Sequence, residues 1–160
     1  MMHRRSRAGG FTLAEMIITL SLLAILTLSA LPLGKMAAKH GKEVELQRAL
    51  RLMREAIDAH KKLADEKKIT FDKDTEGYPP TLEALLEGVE VQEQREGKTE
   101  KRLVKFLRRI PKDPMTNSFD WGLRSYQDDH DSDNWGEENV YDVYTKSQAL
   151  ALDGTRYRDW

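Results

Sequence analysis

Cysteine is absent from this 160-residue chain. That excludes a disulfide, a thiolate nucleophile and any cysteine-based metal site. A strong charge of either sign is also missing, because the formal net charge is -1 at pH 7. Nothing in that balance calls for nucleic acid as the main partner. No glycine-rich phosphate cradle occurs, and His130 stands beside many acids without a serine or cysteine nucleophile pattern. The chain therefore reads as a non-enzyme. The most informative absence is local. From Met16 to Leu33 there is no charged side chain, whereas the following hundred or so residues are dense in Lys, Arg, Asp and Glu. The average hydropathy conceals a two-part molecule.

What is present begins with a basic leader carrying Arg4, Arg5 and Arg7, closed by Gly9 and Gly10. Behind it runs FTLAEMIITLSLLAILTLSALPL, 23 residues from Phe11 to Leu33. Roughly 20 helical residues cross a hydrocarbon core of about 30 Å. The basic flank is expected to stay in the cytoplasm and to send the remainder outward. An ordinary secretory signal would be cut behind the apolar run, at a small-residue site such as Leu28–Ala30. Here the glycine pair precedes the run, so a cut there would remove the charges and leave the helix. Glu15 lies inside the run. An isolated carboxylate in lipid costs several kcal/mol (about 2.5 or more) or takes a proton, and such a residue is by default functional. The bland account is snorkelling to the headgroups.

GGFTLAEMIITLSLLAILTLSALP resembles the class III signal of type IV pilins and type II secretion pseudopilins. The resemblance implies cleavage by a prepilin peptidase after Gly10 and methylation of the new N-terminal residue, Phe11. It puts the family glutamate at Glu15, where the freed amine of Phe11 would supply a cationic partner, and the family's helix-kinking proline at Pro32. Pro32 removes one helical hydrogen bond, and with Gly34 and Gly41 it thins out helix propensity. Its plainer reading is a membrane-exit marker.

Past Lys35 the pattern is helical. Leu46, Leu50, Met53 and Ile57 recur at one face with Ala49, Ala56 and Ala64, which predicts one helix of about 50 residues ending at Asp65. A coiled coil is the rival, but the stripe is short. Glu43 with Gln47 and Arg51 with Glu55 are expected as i,i+4 contacts on solvated flanks. His40 and His60 read as surface or packing residues. A helix with one apolar stripe must bury it, so a sheet is expected against it. TEGYPPTLEALLEG predicts a turn and a short helix capped near Thr81 and ended by Gly88. The stretch Glu93–Arg109 holds seven basic and three acidic residues and is expected to be partly helical, with Leu103, Phe106, Leu107 and Ile110 on one face. Its charge suits either an acidic neighbouring subunit or, more simply, solvent. Short strands are expected near LRSYQ and NVYDVYT.

IPKDPMT resembles the proline–aspartate–proline element ahead of the C-terminal strands in major, G-type pseudopilins, although Met115 and Thr116 stand where that lineage has tryptophan–glycine. The segment YDVYTKSQALALDGTRYRDW also resembles that lineage, whose C-terminal loop binds calcium. The resemblance offers Asp153 and Asp159 as carboxylate ligands. The plainer reading is a turn at Asp153–Gly154. Separately, DDHDSDNWGEE (Asp128–Glu138) holds six carboxylates, but Asn134 replaces the turn glycine and Val140 the final glutamate of an EF-hand.

The expected fold is α+β and type IV pilin-like, a long N-terminal helix on a small C-terminal antiparallel sheet. Its expected segments are a cleaved leader (1–10), a transmembrane or filament-core helix (11–33), its amphipathic continuation (34–66) and a periplasmic head (67–160). The resemblance implies a structural subunit that polymerises into the periplasmic pseudopilus of a type II secretion system. Implied partners are prepilin peptidase, neighbouring copies, minor pseudopilins, an inner-membrane platform with its cytoplasmic ATPase, and membrane lipid. The alternatives are a type IV pilus subunit or a single-span periplasmic binding module that never polymerises.

Overall fold

The computed structural model describes residues 10–95 and 98–160. Arg4, Arg5, Arg7 and Gly9 of the leader lie outside the described residues. One helix, α1, runs Leu13–Asp65 with Pro32 inside it, ending where the periodicity ends. The chain forms two compact units, one ending at Lys39 and the other comprising His40–Trp160.

In the second unit, α1 buries Leu46, Ala49, Leu50, Met53, Ala56 and Ile57. These are the stripe that the 3.6-residue period sets on one face. Each fully buried Leu, Ile or Met contributes about 1.5–3 kcal/mol. The stripe packs with Leu82 and Leu85 of α2 (Leu82–Glu87) and with Leu107, Trp121, Val140, Val143 and Tyr157. The Thr81 hydroxyl caps α2 by accepting from the Ala84 amide, and Gly88 ends it at φ 85°. A side chain at Gly88 would press on the Val104 carbonyl at 2.5 Å, so both conformation and space demand glycine.

The charged stretch after α2 is not helical. Val89–Arg95 (β1) and Lys98–Val104 (β2) form an antiparallel pair with Val89 opposite Val104 and Gln92 opposite Lys101. The reason is a period of two that outweighs the proposed helical face. Val91 is buried between exposed Glu90 and Gln92, and it packs with Ala64 and Ile69. Leu103, expected on an apolar helix face, is exposed. The Gln92 amide donates to the Lys68 carbonyl, tying the hairpin to the segment behind α1.

The second pair, Gly122–Arg124 (β3) and Asp142–Tyr144 (β4), is antiparallel and only three residues long, with Leu123 opposite Val143. Both strands fall where short strands were expected. Any side chain at Gly122 would collide with the Tyr144 ring.

So short a sheet needs other fastenings, and the helix supplies two. Arg54 donates from Nε to Asp142 Oδ1 at 2.7 Å, and from Nη2 to the carbonyls of Val143 and Trp160. Asp142 also lies 3.6 Å from Arg124, whose guanidinium covers the Tyr144 ring. The second fastening corrects an expectation. Glu43 is buried, not on a solvated flank, and its Oε1 accepts from the Leu152 amide and the Tyr157 hydroxyl, each at 2.8 Å. A buried carboxylate is tolerable only when so satisfied. Burial, reinforced by Glu43, pushes the Tyr157 hydroxyl up to about 12, so it remains a donor at neutral pH. Arg51 and Glu55 are both exposed and form no ion pair among the described residues.

A third fastening sits in the proline–aspartate–proline element. Asp113 is fully buried, and its carboxylate accepts from the Met115 amide and from the hydroxyls of Thr116 and Thr145. His40 is exposed, whereas His60 is buried, with Nδ1 3.1 Å from the Gly77 carbonyl and its ring against Phe106.

Two outcomes follow for the unit His40–Trp160. Replacing Glu43 by Ala strands the Leu152 and Tyr157 donors and is expected to lower its stability by roughly 2–3 kcal/mol in urea titration, whereas a surface control, Glu55→Ala, stays within about 0.5. Burial holds the His60 pKa below its ordinary value of 6.5. The unfolded chain therefore binds the proton first, so stability is full above about pH 6.5 and falls as the pH drops through that value. His60→Gln should flatten this decline in melting temperature between about pH 7 and 5.

Candidate functional site

The sequence-predicted site residues fall into two groups that the fold keeps in different segments. The first lies at the start of α1. Gly10 is exposed, and a side chain there would meet nothing within 4 Å among the described residues, which give no packing reason for glycine at this position. Phe11 follows, 77% exposed. The Thr12 hydroxyl then accepts from the Glu15 amide at 3.2 Å, and the Thr12 carbonyl from the Met16 amide. Thr12 is thus the N-cap of α1, with Glu15 at its third helical position, the T-x-x-E arrangement of a capping box. That spacing is visible in the sequence. The carboxylate consequently sits in the first turn, near the positive end of the helix dipole.

Beyond the cap, the described apolar side chains of the run are exposed: Ile17, Leu20, Leu23 and Ile25 are each more than half so. The hydroxyls of Thr19, Ser21 and Thr27 are turned inward to the helix's own carbonyls, those of Met16, Ile17 and Leu23 respectively. Such back-bonding satisfies a hydroxyl without water, which a helix in hydrocarbon requires. Among the described residues one helix, α1, is long and apolar enough to cross a membrane. The helix continues through Pro32, which has no amide hydrogen to give to the preceding turn.

The second group is the loop with Asp153 and Asp159. Asp153 Oδ1 accepts from the amide and the hydroxyl of Thr155, which hold its pKa below the ordinary value. Asp159 lies 3.9 Å from Arg158. Calcium takes six to eight oxygens. Among the described residues no three His, Asp or Glu side chains gather to hold a metal. An ion in this loop would therefore draw mainly on backbone carbonyls. The acidic stretch Asp128–Glu138 is organised by its own hydrogen bonds: Asp128 Oδ2 accepts from the Ser125 and Gly136 amides, and Asn139 receives Tyr126 and Trp135. Asp133 pairs with Arg158.

A family model described as a prokaryotic N-terminal methylation motif matches residues 5–31. The match spans much of the leader and most of the apolar helix. No curated protein and no solved structure matches the chain. With that motif at its start, a long helix behind it and small antiparallel sheets in the head, the chain has a type IV pilin-like fold.

Proposed function

We propose that the chain is a pseudopilin, a structural subunit that polymerises into the periplasmic filament of a type II secretion system and helps drive protein export across the outer membrane. The observation that carries this reading is the methylation motif matched on residues 5–31, which takes in the start of α1, a helix whose described apolar side chains in that region are exposed. A surface of that size needs lipid or like helices around it. In this account prepilin peptidase cuts after Gly10 and methylates Phe11, and the subunit waits as a single span in the bacterial inner membrane with its head in the periplasm. A membrane platform and its cytoplasmic ATPase add subunits at the base, and minor pseudopilins complete the filament.

Glu15 then has two stages. In the lone subunit its position in the first turn lets the helix dipole and the nearby headgroups moderate its cost. On assembly it meets the cationic amine of a neighbouring Phe11, and that pairing registers the incoming helix. The open space around Gly10 supports the reading, because a glycine with no packing reason among the described residues is explained by the peptidase that must grip the backbone there. Pro32 marks where the membrane-length segment gives way to the amphipathic part of α1.

Intact-mass measurement on the full chain from its host membrane is expected to give a protein beginning at methylated Phe11. Glu15→Val should be cut identically but enter filaments at a tenth of the normal yield or less. A chain cut behind Ala30, or normal filament yield with Glu15→Val, would overturn the reading. For the loop holding Asp153 and Asp159, we propose a calcium ion bound chiefly by backbone oxygens. Chelation should then lower the melting temperature of the head by several degrees, and an unchanged transition excludes the ion.

A further inference from the structure

The head carries a groove of about 630 Å³ along α1 that no part of the proposed processing site uses. Its apolar floor includes Leu52, Ile110 and Phe119, of which Leu52 is 46% and Phe119 64% exposed. Around it stand Arg48, Arg109 and Lys112, with Glu45 as an acid on the rim. The three cations are exposed and form no ion pair among the described residues. Isolated apolar side chains on a surface need no explanation, but apolar residues together in a cation-rimmed groove specify a partner: an apolar or aromatic tip accompanied by carboxylates.

The same chain carries such an element elsewhere. Tyr126 is 56% exposed and leads directly into Asp128–Glu138, where Asp129, Asp131, Glu137 and Glu138 are exposed and form no ion pair among the described residues. The loop is held in shape by the Asp128 and Asn139 hydrogen bonds, so it is presented as a formed surface. It shares no residue with the groove. The Tyr126 ring is stacked on Tyr78 and meets Tyr141 edge-on in its own head, which holds it in place while more than half of the residue stays exposed. That exposed part suits the groove, since a tyrosine can both pack on apolar side chains and attract an arginine.

We infer that the groove of Arg48, Leu52, Arg109 and Phe119 receives the Tyr126–Glu138 loop of a second copy of this chain. The contact joins two different surfaces, so it is heterologous, and each copy can give its loop while accepting another. Such a contact propagates; it does not close on itself as a two-fold dimer would. The inference deepens the filament reading and rests on it for its membrane setting. It assigns to the heads a contact of their own, with charge setting which copy and which register are accepted.

The absence of native cysteine makes the test direct. The full chain carrying both Lys112→Cys and Asp131→Cys, expressed in its host membrane and oxidised mildly, should give a ladder of dimers, trimers and larger species. Either single variant should remain monomeric. Adding Arg48→Glu and Arg109→Glu should reduce the ladder at least tenfold. Adding Asp129→Lys and Glu137→Lys to that background should restore it, which misfolding of the charge-reversed chain could not do. Monomer alone from the double-cysteine chain overturns the groove, and so does a ladder that the two arginine reversals leave intact. Sheared filaments are scored in the same cells. Filaments without a ladder retain the proposed function and reject the groove; a ladder without filaments does the opposite; neither rejects both.

Discussion

The head is held to its helix by a buried negative charge. Glu43 projects from the apolar side of α1 and accepts from the Leu152 amide and the Tyr157 hydroxyl. A charge in the interior is unfavourable unless its acceptor capacity is used, and each charge-assisted bond returns about 1.5–3 kcal/mol. The C-terminal segment is therefore located on the helix by a requirement, not by a preference. Arg54 repeats the arrangement with opposite sign about three turns further along nearly the same face, joining Asp142 of β4 to the carbonyls of Val143 and Trp160. Between these two charges lie Leu46, Leu50 and Met53, so polar fastenings bracket an apolar strip. Three-residue strands are too short to organise a head by themselves. Here they do not need to.

The extent to which this was legible in the sequence differs by residue, and for physical reasons. Leu46, Leu50, Met53 and Ile57 announced their burial because a regular helix converts spacing directly into a face. Thr81 and Gly88 announced the limits of α2 because capping is local chemistry. The hairpin of β1 and β2 differs from the helix expected there, because Leu103, Phe106 and Ile110 fit a helical period, while Val89 and Val91 fit a period of two and Val104 lies opposite Val89. The period of two prevailed because Val91 had Ala64 and Ile69 to pack against, a contact no local pattern displays. Glu43 and Asp113 were illegible for the same cause: their partners are Tyr157 and Thr145, far along the chain. At the candidate site, Gly10, Phe11 and Glu15 are assigned by the motif and their roles belong to the proposal, whereas the capping role of the Thr12 hydroxyl is read from its bond to the Glu15 amide.

The apolar part of α1 poses a different problem from the head. Its described apolar side chains are exposed, and the hydroxyls of Thr19, Ser21 and Thr27 have turned to carbonyls within the helix. Such a segment is finished as a helix and unfinished as a packing unit. Lipid can complete it at once, and like helices can complete it later. In the filament proposed above, the carboxylate near its first turn would distinguish the two surroundings, since there a neighbouring chain brings the amine it lacks in lipid.

The Glu43–Tyr157 bond also spans 114 positions of sequence, and Arg54–Asp142 spans 88. A helix forms in about a microsecond, whereas closing so long a loop is slow and entropically costly. The amphipathic part of α1 thus exists well before anything can cover its stripe. During that interval the exposed Leu46, Leu50 and Met53 are open to wrong companions, including the stripes of sister chains. Fastenings that are charged and directional give the late-arriving segment an advantage that mere apolarity does not, because a wrong companion leaves Glu43 and Arg54 unsatisfied. The buried charges thereby act on the order and fidelity of folding as well as on the finished head.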